Sequence, residues 1–168
     1  MFLNHQFSVS DLKRAFGSFP TGVTVMTTRD TNGEPVGMTA SSFNTVSMEP
    51  ALILWSIRID SYKRSAFANN DRFTVNILAE DQLDACYGFA KPLGQAFDLV
   101  EWEEGKTGIP RLLGAAAHLE CQVWARHLAG DHEIIIGEIT SLASSDVRPL
   151  VFHAGKTCQL PTLEMHKG

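Results

Sequence analysis

Few residues in this chain combine a reactive side chain with a spacing that chemistry would need. His127 and His132 flank Gly130-Asp131, a turn signal, and could approach each other. Two imidazoles without a third ligand make a poor metal site, and neither Cys-x-x-Cys nor His-Glu-x-x-His occurs. Ser41 and Ser42 lack the Gly-x-Ser-x-Gly elbow that exposes a hydrolase nucleophile. Cys86 sits at helical spacing among apolar residues, the setting of an inert buried thiol. Gly155-Lys156-Thr157 looks like the end of a P-loop, but Leu150 stands where the earlier glycine belongs, and no Gly-x-Gly-x-x-Gly is present.

Two segments say more. Thr39-Ala40-Ser41-Ser42 is small and hydroxyl-bearing, at the expected end of a strand. Small side chains let a flat ligand approach the backbone, while hydroxyl and N–H groups can donate to ring carbonyls or phosphate. The same residues also suit a polar turn with no ligand. Ser61-Tyr62-Lys63-Arg64 falls at an expected helix start. Two cations beside the positive end of a helix dipole are unfavourable unless an anion sits there, so the segment reads either as a phosphate site or as a solvated basic pair.

The elements that position these segments read mainly as strands. Ser8 or Ser10 caps a first helix in which Leu12, Ala15, Phe16 and Phe19 are spaced to face the core, with Pro20 ending it. Val23 to Thr28 is β-branched; Asn32-Gly33 turns it into a return strand from Pro35 to about Thr39. Leu52 to Ile57 reads as a strand buried on both faces, Ser61 to Asn70 as a short helix with Ala66 and Phe67 inward, Phe73 to Leu78 as a strand, and Asp81 to Ala90 as a helix. Lys91 to Arg111 reads as mostly loop. From Ala117 to Arg126 the pattern alternates strictly, with His118, Glu120, Gln122, Trp124 and Arg126 on the polar side; Gly130-Asp131 then returns the chain as Ile134 to Leu142. Antiparallel hairpins with three short helices point to a mainly β, barrel-based domain rather than an alternating β-α fold.

Length and composition bound the rest. The chain has 168 residues, the size of a single domain spanning 1–168, with 44% apolar and 20% charged residues, ordinary globular values. A formal net charge of −5 argues against gripping nucleic acid. No run approaches the ~18 apolar residues that span a bilayer, and the N-terminus lacks a signal-peptide pattern, so no membrane partner is expected. Three cysteines, Cys86, Cys121 and Cys158, fit reduced thiols in a cytoplasm better than a disulfide framework.

An ordered set of motifs resembles the short-chain flavin reductase family, a flavin reductase-like domain with an FMN-binding split β-barrel. It comprises Phe19-Pro20-Thr21-Gly22-Val23-Thr24-Val25, Gly37-Met38-Thr39-Ala40-Ser41-Ser42-Phe43, Phe73 to Gln82, Gly108-Ile109-Pro110, Leu119-Glu120-Cys121, Gly130-Asp131-His132 and Pro149 to Gly155, and covers the chain from Phe16 to Gly155. The resemblance implies a homodimer in which NADH or NADPH reduces FMN or FAD, the reduced flavin leaving for a partner flavin-dependent monooxygenase. Alternatives are a flavoprotein that keeps FMN and reduces another acceptor, and a non-catalytic flavin-binding barrel. By matching position, Thr39, Ala40, Ser41 and Ser42 would line the flavin ring and ribityl chain. Ser56, Ser61 and Lys63 would lie near the phosphate, with Ile57 and Arg58 counted among the cofactor-binding residues. Asn76, Ile77 and Leu78 would lie along the other edge, and His132 would be the histidine at the nicotinamide side. The chain departs from the family at Thr157, where an aromatic residue is common, and at Arg58, which could add a phosphate contact or tune flavin choice. Trp124, on the polar side of its strand, is the expected anchor of the dimer interface.

Overall fold

The structure, a computed structural model, describes residues 7–91 and 96–161. Ser8 opens helix α1 (Val9–Gly17) with a reciprocal capping box: its hydroxyl accepts from the Asp11 amide at 3.0 Å, and the Asp11 carboxylate accepts from the Ser8 amide. Strands β1 (Thr21–Gly22), β2 (Thr24–Arg29), β3 (Pro35–Ala40), β4 (Asn44–Met48) and β5 (Ala51–Arg58) follow, then helix α2 (Arg64–Ala68), β6 (Arg72–Ile77) and helix α3 (Leu83–Ala90). The second half holds a 3₁₀ turn (Ala96–Leu99), β7 (Trp102–Glu104), β8 (Pro110–Leu112), the long hairpin β9 (Ala117–Ala129) and β10 (His132–Ser144), and finally β11 (Val151–His153) and β12 (Lys156–Cys158). The β2–β3 turn forms as Asn32-Gly33 predicts: Gly33 has φ +84°, and the Asp30 carboxylate accepts from the amides of Asn32 and Glu34.

Seven antiparallel strands run in the order β3-β2-β6-β9-β10-β5-β4, flanked by a β1-β11-β12 sheet and a β7-β8 pair. The two edge strands, β3 and β4, are consecutive in the chain. Asn44 opposes Leu54 across β4 and β5, a register that puts Ser42 opposite Ser56. There the Ser42 hydroxyl takes over from the backbone ladder, donating to the Ser56 carbonyl at 3.2 Å and accepting from the Ser56 amide at 3.0 Å. A side chain thus closes the seam of the split barrel.

Two apolar clusters fill the molecule. Met26, Trp55, Phe67, Phe73 and Ile135 pack inside the barrel; Val25, Leu78, Phe89, Leu112 and Leu150 pack between the sheet and α3. Strands β2 and β6 separate the two clusters, and each is therefore buried on both faces.

That arrangement corrects several expectations. It is β2 and β6, not the Leu52–Ile57 strand, that are doubly buried; β5 lies next to an edge strand and alternates, burying only Ile53, Trp55 and Ile57. Segment 91–111 carries β7 and β8, whose turn covers the outer face of β9. Glu120 is consequently 2% exposed, its carboxylate accepting from the amides of Lys106 and Thr107 and from the Thr107 hydroxyl. Burial pushes its pKa up, but these donors and nearby Arg111 outweigh that effect and hold it below the usual carboxylate value. In α1 no residue is buried: Phe16 is 71% exposed, as is Phe19 just beyond the helix at 74%, because the helix precedes the barrel and meets it through contacts such as the bond from the Ala154 amide to the Gly17 carbonyl. The Ser61–Asn70 helix shortens to Arg64–Ala68, with Ala66 and Phe67 buried as expected.

Candidate functional site

The end of β3, the end of β5, the 59–63 turn and the C-terminal end of α3 surround a cleft of about 360 Å³. Its walls include Met38 and Thr39 from β3, Arg58 from β5, Asp60, Ser61, Tyr62 and Lys63 from the turn, and Phe89, Ala90 and Lys91 at the end of α3. The Thr39 hydroxyl donates to the Cys86 carbonyl at 2.7 Å, which pins α3 against β3. Gly37 lets the Phe89 ring approach the β3 backbone closely; a Cβ there would sit 2.6 Å from a ring carbon. The small residues of β3 therefore let α3 dock closely, and the end of α3 forms one wall of the cleft.

Lys63 is the half-buried cation of this cleft. Its ammonium donates to the Phe89 carbonyl at 2.8 Å, and no carboxylate pairs with it among the described residues. Burial lowers its pKa. Three donors with one protein acceptor, in a cleft of this size, fit a ligand carrying an anionic group. The helix-start argument for that anion does not hold: α2 has five residues, and the amides of Ser61, Lys63 and Arg64 already bond to Arg58, Ser61 and Ser61. Arg64 turns away to the buried carboxylate of Glu133, at 2.9 Å. The cation side chain alone carries the reading.

A second polar group borders the cleft where β5 pairs with β10, with Arg58 opposite His132. Arg58 makes two 2.8 Å bonds to Asp60, which hold the guanidinium above its ordinary pKa and the carboxyl below its own. His132 Nδ1 lies 2.7 Å from the Asp131 carboxylate, and that hydrogen bond lowers the Asp131 pKa. An ionised Asp131 accepting this bond requires the proton on Nδ1. In the β9–β10 register His127 opposes Ile134 and His132 opposes Ala129, and among the described residues no cluster able to hold a metal occurs.

The expected site residues divide. Thr39, Arg58, Ser61 and Lys63 meet in the cleft, with His132 beside Arg58. Ala40 and Ile57 are core residues of the barrel interior. Ser41 lines a different, largely apolar groove with Phe16, Phe19 and Phe152. The Ser42 hydroxyl and the Ser56 backbone are committed to the seam. Asn76 and Leu78 require correction as ligand contacts: both are 0% exposed, and Asn76 spends its amide on the Val25 carbonyl, the Thr27 hydroxyl and the Leu112 amide. Ile77 between them is half-buried against the barrel core. Strand β6 is separated from β3 by β2, about 10 Å away at the usual strand spacing, so its side chains do not reach the cleft. Asp60, Phe89 and Lys91 were not singled out from sequence, and Met38 and Tyr62 stood only within longer segments. Asp60 had a local signal, lying two residues from Arg58; the end of α3 reaches the cleft only through tertiary packing.

Thiol chemistry is absent from this arrangement. Cys86 and Cys121 are buried with raised pKa values, that of Cys121 pushed up to about 12 by burial and by Glu120.

A split barrel with a cation-bearing cleft beside its seam is a scaffold suited to binding an anionic ligand. Residues 16–161 match the flavin reductase like domain family, and the chain belongs to that family. It is 41% identical over 143 residues to FMN reductase (NADH) SmoA of Agrobacterium fabrum, covering 85% of this chain and 81% of that protein. It is 40% identical to the reductase component of the flavin-dependent trigonelline monooxygenase of Acinetobacter baylyi, over 88% of this chain and 47% of that protein. The Streptomyces globisporus NADH:FAD oxidoreductase SgcE6, solved with NAD and FAD fragments, superposes with a TM-score of 0.89 at 34% identity, covering 96% of this chain and 98% of that one. The chain spans about half the length of some curated relatives, including 48% of a probable flavin reductase of Rhizobium meliloti.

Proposed function

We propose that this chain is an NAD(P)H-dependent flavin reductase that supplies reduced FMN or FAD to a flavin-dependent monooxygenase. The half-buried Lys63 ammonium, with one protein acceptor and an open cleft before it, carries the reading. Lys63 would hold the flavin phosphate, and Ser61 and Thr39 line the cleft beside it. When bound, the cofactors supply the chemistry, a hydride passing from nicotinamide C4 to flavin N5. The chain's part is alignment. His132, hydrogen-bonded to Asp131 in a turn between paired strands, would meet the nicotinamide side through Nε2 and limit its motion. The close contact of Phe89 with Gly37 keeps the cleft's shape.

Homodimerisation belongs to the same reading. Trp124 of β9 is exposed, an aromatic side chain suited to burial against a second copy. Cytoplasmic residence is supported by three cysteines free of disulfide bonds. The test is NADH oxidation by purified protein with and without added FMN or FAD. Oxidation that requires added flavin is expected; oxidation without it, by protein that retains flavin through gel filtration, would indicate a bound-flavin enzyme instead.

A further inference from the structure

Glu133 places a carboxylate inside the end of the barrel, away from the cleft. It follows His132 on β10, is 6% exposed and stands opposite Ile57 of the barrel core. Strand alternation sends the side chains of His132 and Glu133 to opposite faces. The Glu133 carboxylate accepts from Arg64 Nε at 2.9 Å, and the Arg126 guanidinium lies 3.9 Å from its other oxygen. Arg126 in turn donates to the carbonyls of Phe67 at 2.6 Å and Asn70 at 3.2 Å. One buried carboxylate thus meets the guanidinium at the start of α2 and, through Arg126, the carbonyls at its end. Burying charge is costly, and a buried ion pair often stabilises no more than apolar residues of the same volume would. What such a pair does fix is position.

We infer that Glu133 is a positioning residue: acting through Arg64, it sets the place of Lys63 relative to His132, and with it the grip on the flavin phosphate. The inference rests on the assignment of Lys63 to that phosphate. Helix α2 has five residues and no side-chain cap at Lys63, too short to hold its own place. The segment leading into it is bonded to the start of β10 at two points. The Ile59 amide donates to the Asp131 carbonyl at 3.0 Å, and the Arg64 side chain donates to Glu133. Lys63 lies between these two points on one segment, and His132 lies between them on the other. The bond from Lys63 to the Phe89 carbonyl tethers the ammonium but not the backbone that carries it. Without the carboxylate, half-buried Arg64 is released towards solvent and Arg126 loses its counter-charge, so the start of α2 loses its side-chain anchor to β10.

Flavin titrations followed by fluorescence quenching, with no reductant present, test this on Glu133→Gln and Arg64→Met. The two cut the same contact from opposite sides, and Arg64→Met leaves the Glu133–Arg126 pair in place, so it carries the test if Glu133→Gln does not fold. Each should weaken FMN by about 5–20-fold, within the range for residues coupled in one network, with riboflavin changed by less than about twofold. Arg64→Lys, which keeps a cation within reach of Glu133, should restore most of the FMN affinity. The decisive variant combines Arg64→Met with Lys63→Met. With the ammonium gone there is nothing left to position, so FMN should weaken by less than about twofold beyond Lys63→Met alone. A merely structural role would weaken FMN by the same factor in both backgrounds. That additivity, an equal loss of riboflavin in Arg64→Met, or unchanged FMN binding in Arg64→Met would overturn the inference while Lys63→Met still reports the phosphate contact. Unchanged FMN binding in Lys63→Met would instead refute the phosphate assignment, and the positioning role with it.

Discussion

Replacing Lys63 with methionine separates what the ammonium does for the ligand from what it does for the fold. The side chain keeps its length, so packing against Phe89 changes little, but the charge and all three N–H donors are lost. Among the described residues only one of these donors has a protein acceptor, the Phe89 carbonyl at 2.8 Å. Burial already opposes the charged form. Removing the charge relieves that penalty while the Phe89 bond is lost, and the two effects offset, so the Tm of the ligand-free variant should stay near that of the parent. Because folding lowers the Lys63 pKa, the unfolded chain binds more protons between the lowered and the ordinary value. Stability contributed at this site therefore rises with pH across that window, and the variant should lose the rise. Flavin binding should respond differently. One charge-assisted hydrogen bond to a phosphate contributes about 1.5–3 kcal/mol, which is about 10–150-fold in Kd. FMN should weaken by that factor in a fluorescence titration, whereas riboflavin, which has no phosphate, should change by less than about twofold. Equal weakening of both flavins, or no weakening of FMN, would refute the assignment of Lys63 to the phosphate.

Other perturbations test neighbouring parts of the argument. His132→Ala should lower kcat/KM for NADH by about 10–100-fold with flavin affinity nearly unchanged, read by stopped-flow reduction beside a flavin titration; Asp131→Asn should move the same parameter in the same direction by less. Glu120→Gln places an amide where two oxygens now accept from three donors and should cost about 1–3 kcal/mol of stability in a denaturant titration. Since the Glu120 pKa is lowered by folding, the stability it contributes is present above its unfolded value and lost as pH falls through the folded value; Glu120→Gln should flatten that acid limb. Sedimentation at micromolar concentration should show a dimer, and Trp124→Glu should shift it towards monomer; a monomeric wild type would remove the interface reading.

Local signals read best where one side chain or one turn decides the geometry. Asn32-Gly33 fixed its hairpin and Ser8 its cap, because each acts on its own backbone. Burial was less legible. The alternation of β9 holds only as far as Val123: a register shift there puts Arg126 opposite Ile135, on the barrel-core face, instead of on the polar side. Nor does any local pattern show that the β7–β8 turn will cover Glu120, since the covering residues lie more than ten positions away. The apolar spacing of α1 likewise marks an amphipathic helix, yet periodicity says only that a face is apolar. It does not say what covers that face, and within this chain Phe16 and Phe19 stay exposed.

At the site, the motif segments were legible as segments, while the roles of their residues were not. Thr39, Ala40, Ser41 and Ser42 are adjacent in sequence, and a strand sends neighbours to opposite faces. One docks α3, one packs in the barrel, one opens onto an apolar groove and one closes the seam. A run of small polar residues can therefore be essential to a binding cleft while contributing few direct ligand contacts: it is small so that other elements can approach. The same reasoning explains Gly37, where the space a Cβ would need is filled by the Phe89 ring. Gly37→Ala should thus disturb the cleft without touching a ligand. The added methyl must displace Phe89, whose carbonyl holds Lys63, so flavin affinity and Tm should fall together. That joint loss is the signature of a residue acting through packing, in contrast to Lys63→Met, where affinity falls alone.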